Sequence, residues 1–212
     1  KGDYMPLIEE LTSKRSPLVK KAAKKILKDR LKGYGPYLHS ALEVEIEKKR
    51  AWETQMYLLY AMAATDCAEE IPYLKSLILR DISTPVTYRS LALAIVYLEN
   101  SEIENLSFVY ESLESNSFSK AAGACAAIYM KKLVLKDDDF NRIMSYVTQP
   151  KYLEHIGKVT NPFLFILAAS YLFSESSREK ILIFSEQFDV QLVRDIISDV
   201  KKGKDGKRIN FF

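Results

Sequence analysis

The residue types that most often carry out chemistry are scarce in this 212-residue chain. The two histidines, His39 and His155, stand 116 positions apart, so the local sequence pairs neither with a nucleophile nor with a second metal ligand. The chain contains no Gly-x-Ser-x-Gly motif, no phosphate-binding Walker loop and no dinucleotide-binding glycine pattern. We therefore expect a protein that is not an enzyme and that holds no metal ion or other cofactor.

The two cysteines and the acidic run at 137–139 are better explained by structure than by chemistry. Cys67 and Cys125 lie in or beside apolar helical stretches, where a thiol packs as a small hydrophobic group. Reduced, buried cysteines favour a cytoplasmic location. Three consecutive aspartates point in different directions on a helix and cannot surround one ion, but they stabilise the N-terminus of a helix.

Tyrosine is abundant, at 13 residues, and suits recognition rather than catalysis. Tyr57 and Tyr60 lie three positions apart on one predicted helix, and Arg89 interrupts another apolar helix. Tyrosine and arginine are preferred anchors of protein interfaces. We therefore predict that Tyr57, Tyr60 and Arg89 contact a partner, with packing of the tyrosines between helices as the alternative.

The net charge of +3 hides an uneven distribution. Residues 1–50 carry 13 basic and 7 acidic side chains, whereas residues 51–100 carry 3 and 6. A lysine-rich face on the predicted helix 17–32 attracts an acidic partner or a nucleic-acid backbone, or else is simply solvated. This predicted basic patch consists of Lys20, Lys21, Lys24, Lys25 and Lys28.

The elements that must position these residues are helices. In residues 138–148 apolar side chains fall at relative positions 0, 3, 4 and 7, which is the spacing of one helix face. The 7 glycines are about half of the usual frequency of roughly 7%, which disfavours an all-β fold. Potential cap residues before proline, in Thr84-Pro85 and Asn161-Pro162, mark two helix starts. The sequence therefore predicts an all-α protein.

The predicted helices alternate between two kinds. Amphipathic helices are predicted at 69–82, 102–115, 138–148 and 178–188. Far more apolar helices, which must be covered on more than one side, are predicted at 53–66, 85–99, 118–135 and 161–174.

An internal repeat of 32 to 42 residues relates these helix pairs. The segment LALAIVYL at 91–98 aligns with GACAAIYM at 123–130 after a shift of 32, and the tyrosine in each aligns with Tyr171 after a further shift of 42. The extra residues of the longer unit lie in a predicted loop at 149–160. Helix pairs repeated at such a period are typical of an α-solenoid.

The segment SPLVKKAAKKIL at 16–27 resembles the second helix of a HEAT repeat, with proline followed by valine, basic and small residues. The segment that begins at Thr84-Pro85 is similar, and the small residues of 121–127 permit close helix packing. The resemblance to HEAT and armadillo-like proteins implies a right-handed α-α superhelix of about ten to twelve helices. It also implies one repeat domain at 1–203, followed by a basic, mobile tail at 204–212.

This resemblance predicts a non-catalytic protein-binding module whose concave groove holds another protein. The module acts as an adaptor or an inhibitor, and a bacterial toxin-immunity protein is one concrete version. Nucleic-acid binding through the lysine face is the alternative. The least favoured prediction is a DNA alkylation-repeat glycosylase, because those proteins use tryptophans in a basic groove and this chain has only Trp52 and an acidic middle.

No stretch of the sequence approaches the roughly 18 consecutive apolar residues that a membrane helix needs, so we expect no membrane partner. The sequence starts at Lys1 with no apolar segment that suits a signal peptide.

Overall fold

A computed structural model describes residues 4–81, 84–101 and 104–205. The described residues form 13 α-helices and two short 3-10 helices, and they contain no β-strand, which confirms the predicted all-α class. The α-helices are α1 (Tyr4–Leu11), α2 (Ser16–Asp29), α3 (Gly35–Glu45), α4 (Trp52–Ala64), α5 (Ile71–Ile78), α6 (Pro85–Glu99), α7 (Ser107–Glu114), α8 (Phe118–Lys131), α9 (Asp137–Val147), α10 (Pro150–Leu153), α11 (Pro162–Ala169), α12 (Glu175–Ser185) and α13 (Gln191–Lys201).

The chain divides into two compact units, one that ends at residue 103 and one that begins at residue 104. The predicted repeat domain at 1–203 therefore covers two groups of helices. The helix count exceeds the expected ten to twelve because the predicted loop at 149–160 contains the four-residue helix α10.

Three helix pairs form the first unit. Helix α1 packs against α2, α3 against α4, and α5 against α6. The second helices of the pairs also contact each other in the order α2, α4, α6. Helix α2 buries only one side, whereas α6 buries nine of its 15 residues, because α6 has neighbours on more than one side and α2 lies at the end of the row. Burial of this apolar surface is the main force that stabilises such a row.

Three further pairs form the second unit. Helix α7 packs against α8, α9 against α11, and α12 against α13, and the second helices follow in the order α8, α11, α13. Small residues between Ala121 and Ala127 are all buried on α8, where they leave room for the close approach of α11. On α11, Phe165 faces α8, with its ring centre 6.4 Å from that of Tyr129, whereas Phe163 packs against Phe184 and Phe188; both phenylalanines are 0% exposed.

Side-chain caps and left-handed residues fix the helix ends. The predicted starts at Thr84 and Asn161 are confirmed, because these side chains accept hydrogen bonds from the backbone N–H groups of Thr87 and Phe163. The helix predicted at 17–32 already ends at Asp29, since Arg30 adopts a left-handed conformation with φ of 51° and its N–H closes the last turn.

Other predicted boundaries differ for similar reasons. Helix α8 ends at Lys131, four residues before the predicted boundary at 135, because Lys132 adopts a left-handed conformation with φ of 58°. Helix α7 begins at Ser107 rather than at 102, because the Asn105 side chain accepts hydrogen bonds from the N–H and the hydroxyl of Ser107 and forms a turn there.

The start of the predicted tail at 204–212 contacts the second unit. The hydroxyl of Tyr129, on α8, donates a hydrogen bond to the carboxylate of Asp205. Residues 206–212 lie outside the described residues. The two tail residues within the described part, 204 and 205, are therefore attached to the fold at this point.

Candidate partner-binding surface

The candidate surface lies on α2, α4 and α6, which run side by side in the first unit. The ammonium group of Lys24 on α2 lies 4.5 Å from the centre of the Tyr57 ring on α4, a cation–π distance. One helical turn before this pair, the Nζ atom of Lys20 lies 2.9 Å from an oxygen of Glu53. Two contacts between side chains therefore join α2 to α4 along the exposed edge of their interface.

The structure separates the three predicted anchor residues. Tyr57 and Arg89 are half-buried, so part of each side chain remains accessible. Tyr60, in contrast, is 1% exposed and packs in the interior, so it cannot contact a partner in this conformation. Burial raises the pKa of the Tyr60 hydroxyl, and the positive charge of Arg89 opposes this shift. The prediction is therefore wrong for Tyr60, which packs in the interior of the first unit and not on its surface.

Carboxylates neutralise much of the predicted basic patch. Lys20 pairs with Glu53, as described above, and the hydrogen bond from Lys20 lowers the pKa of that carboxyl. Lys21 lies 2.5 Å from a carboxylate oxygen of Glu10, and Lys25 lies 2.9 Å from one of Asp29. Lys24 and Lys28 complete the patch as exposed side chains on the same helix. The patch is thus exposed, but its net positive charge is smaller than five lysines suggest.

His39 lies in a cluster of acidic side chains on the first unit. Its Nδ1 atom forms a hydrogen bond with the buried carboxylate of Glu70, and its Nε2 atom lies 3.5 Å from an oxygen of Glu43. The imidazole ring stacks on Tyr73 with the ring centres 4.1 Å apart. Burial alone lowers the pKa of His39, but the hydrogen bond and the charge of Glu70, together with Glu43, outweigh it and raise the pKa.

This cluster makes stability depend on pH in a predictable direction. Because the pKa of His39 is raised above its ordinary value of 6.5, the protonated ring stabilises the fold fully below that pH, and the contribution is lost as pH rises through the folded-state pKa. We expect the difference in unfolding free energy between wild type and His39→Gln to shrink from pH 5.5 towards about pH 9, since imidazole deprotonates over this range. Urea denaturation at several pH values measures this difference.

His155 provides the matched control, because it lies outside the acidic cluster; its ring is nearly perpendicular to that of Phe118, with the ring centres 5.8 Å apart. We expect His155→Gln to leave the pH dependence of wild type in place. A difference between wild type and His39→Gln that stays constant or grows with pH contradicts the stabilising role of the protonated ring.

The remaining chemistry-bearing residues serve the fold. Cys67 and Cys125 are free and buried, as predicted, and burial raises the pKa of each thiol. Asp137, the first residue of α9, accepts hydrogen bonds from the hydroxyls of Ser174 and Ser177. No group of three or more His, Cys, Asp or Glu side chains in the described part of the chain is placed to hold a metal ion.

Two buried polar groups near this surface are not predicted by the sequence. The amide of Gln55 is 2% exposed; it donates to the carbonyl oxygens of Glu45 and Lys48, at 2.8 and 3.1 Å, and accepts from the Thr87 hydroxyl at 2.6 Å. The carboxylate of Glu45, which is 1% exposed, pairs with Lys48 at 2.6 Å. The only sequence signal for Gln55 is a polar residue inside an apolar helix.

No family model, no curated protein and no solved structure matches this chain. Across residues 4–81, 84–101 and 104–205, no helix combines the length and the apolar character that crossing a membrane requires.

Proposed function

We propose that this protein is a non-catalytic, cytoplasmic protein-binding module of the HEAT-like α-solenoid type, a right-handed superhelix that acts as an adaptor or an inhibitor. A toxin-immunity protein is one concrete form of the inhibitor. The observation that supports the proposal is the contact of Lys24 with the ring of Tyr57, together with the half-buried Arg89 on the neighbouring helix α6. In a HEAT-like superhelix, helices such as α2, α4 and α6 line the concave groove.

The chemistry of this surface suits a protein partner. A half-buried tyrosine offers a large contact area at a low cost in side-chain entropy, and arginine adds several hydrogen-bond donors. The lysine beside the ring adds positive charge, which favours an acidic segment of the partner. Gln55 on α4 accepts a buried hydrogen bond from Thr87 on α6, and Tyr60 is buried on α4. These contacts fix the positions of the two helices that carry Tyr57 and Arg89.

We expect Tyr57→Ala and Arg89→Ala each to weaken binding of the partner by about tenfold or more, as truncation of an interface anchor does. The partner is first captured from the native host with the wild-type protein and then titrated against each variant by calorimetry. Tyr146→Ala is the matched control, since Tyr146 is a half-buried tyrosine on α9 in the other unit. Equal affinity for all three variants and wild type contradicts the proposed surface.

Nucleic-acid binding is the second proposal, and exposed Lys24 and Lys28 favour it. The carboxylates that pair with the other patch lysines weaken it, because they repel phosphate groups. Gel mobility shift at low salt separates the two proposals: retardation that Lys24→Gln with Lys28→Gln abolishes supports nucleic-acid binding. For the glycosylase alternative, Trp52 is 43% exposed at the start of α4, and release of an alkylated base from DNA is the measurement that tests it.

A further inference from the structure

A polar pocket in the first unit lies where α2 and α4 begin. Its volume is about 320 Å³. Two residues with hydroxyl groups line it, Ser16 at the start of α2 and Thr54 at the start of α4. Its lining also includes three cationic side chains, which are Lys20, Lys48 and Arg50. Positive charge together with several hydrogen-bond donors is the chemistry that holds an anion.

Arg50 supplies a positive charge that the protein itself does not neutralise. Lys20 pairs with Glu53, the one acidic residue among the described residues that line the pocket, at 2.9 Å. Lys48 pairs with the buried carboxylate of Glu45 at 2.6 Å. Arg50, in contrast, is exposed and forms no ion pair with a carboxylate of the described residues. One cationic side chain of the lining is therefore left over.

The two helix starts add to this charge. The first backbone hydrogen bond of α4 runs from the N–H of Gln55 to the carbonyl oxygen of Ala51 at 2.9 Å, so the three N–H groups before Gln55 have no partner within the helix. Neither Ala51 nor Arg15, the residue before α2, caps its helix with a side chain. Each helix start carries about half a positive charge, so the excess that includes Arg50 is about two charges.

A phosphate group matches both the charge and the donors of this pocket. A phosphate monoester carries about two negative charges near neutral pH and has three strong acceptor oxygens, whereas a carboxylate carries one charge and two oxygens. The donors come from three segments of the chain, with Lys20 on α2, Arg50 in the turn before α4, and the start of α4 itself. The volume lies at the lower end of the range for small-molecule sites, so any organic group on the phosphate is small.

We propose that this pocket binds a phosphate group, either as inorganic phosphate or as the monoester of a small molecule. The guanidinium group of Arg50 and the free N–H groups at the start of α4 donate to the phosphate oxygens. Lys20 contributes its ammonium group when Glu53 turns away, and the Glu53 side chain is 39% exposed, so it can turn towards solvent. This binding does not depend on the proposed protein partner.

The test is a titration of the full chain, followed by NMR chemical shifts, with inorganic phosphate and with glycerol 3-phosphate. Glycerol, and sodium chloride at the same ionic strength, are the control titrants. We expect saturable shifts of residues 16–20 and 50–54 with both phosphates and with neither control. Tighter binding of glycerol 3-phosphate identifies a monoester as the ligand, whereas equal or tighter binding of inorganic phosphate identifies free phosphate.

Replacement of Arg50 separates a built site from diffuse surface charge. Arg50→Gln is expected to weaken binding of phosphate by about tenfold, as loss of a charge-assisted hydrogen bond does. Lys49→Gln is the matched control, because Lys49 is an exposed neighbour of the same charge that is not among the lining residues. We expect Lys49→Gln to leave the affinity unchanged, and an equal loss in both variants overturns the proposal.

Replacement of Glu53 is expected to act in the opposite direction. Glu53→Gln removes the carboxylate that competes for Lys20, while its amide oxygen can still accept the hydrogen bond from Lys20, so binding of phosphate is expected to tighten by about fivefold. Glu186→Gln is the matched control, since Glu186 is an exposed carboxylate that pairs with Lys201 at 3.2 Å in the second unit. Weaker binding by Glu53→Gln, absence of saturable shifts in wild type, or shifts that map away from the starts of α2 and α4 each overturn the proposal.

Discussion

Replacement of Phe163 by alanine is expected to lower the free energy of unfolding by about 3–5 kcal/mol, the range for truncation of a buried aromatic residue. Phe163 is 0% exposed on α11, and its ring centre lies 5.6 Å from that of Phe184 and 6.0 Å from that of Phe188. The substitution therefore leaves a cavity and also removes two aromatic contacts. Equilibrium denaturation in urea, followed by circular dichroism, measures the change.

An exposed apolar residue in the same unit provides the control for this prediction. Ile183 is 71% exposed on α12, and Ile183→Ala is expected to change the unfolding free energy by no more than about 0.5 kcal/mol. If Phe163→Ala costs as little as Ile183→Ala, then α11 is not packed at the centre of the second unit.

The apolar helices were predictable because their composition is visible within a short window. Residues 162–169 are apolar on every side, and such a segment is stable in water only when neighbours cover it all round. Because such a helix is apolar all round, its sequence does not indicate which side faces solvent. In α4, which is also apolar on most sides, Tyr57 and Tyr60 differ by only three positions, yet one reaches the surface and the other is buried. The side that faces solvent depends on α2 and α6, which a local pattern does not contain.

The net charge of the candidate surface also could not be predicted from local sequence patterns. Glu10 and Glu53 lie 11 and 33 positions from the lysines that they neutralise, Lys21 and Lys20. Only the packing of α1 and α4 against α2 brings these carboxylates close. The lysine face was therefore predicted from one helix, whereas its net charge is a property of three.

The hydrogen bonds of Gln55 depend on tertiary structure in the same way, and their loss is the second large effect that we expect. Gln55→Leu is expected to lower the free energy of unfolding by about 2–3 kcal/mol, because three buried hydrogen bonds of its amide are lost. The carbonyl oxygens of Glu45 and Lys48 each keep one backbone donor, the N–H groups of Lys48 and Ala51 at 3.0 Å. The hydroxyl of Thr87 loses its acceptor on Gln55 as well. Denaturation in urea measures the change in stability.

This network also links stability to the candidate surface. The Gln55 side chain on α4 accepts from Thr87 on α6, and Tyr57 and Arg89 each lie two residues further along these helices. Loss of the bond lets the helices shift against each other, so Gln55→Leu is expected to weaken partner binding even at temperatures where the protein remains folded. The same calorimetric titration that tests Tyr57 and Arg89 measures this effect.

Two further variants test whether the effects of Gln55→Leu come from the loss of this hydrogen-bond network. Gln187→Leu removes an exposed glutamine that makes one local hydrogen bond, to the Phe184 carbonyl at 2.7 Å, and is expected to change stability by no more than about 0.5 kcal/mol. Thr87→Val removes the bond between the helices and also the contact between the hydroxyls of Thr87 and Thr84 at 2.8 Å. Because the bond to Gln55 is shared by both changes, combining Thr87→Val with Gln55→Leu is expected to cost less than the sum of the two single changes. Strictly additive costs would mean that Gln55 and Thr87 act independently, and the link between this network and the position of α6 would then be wrong.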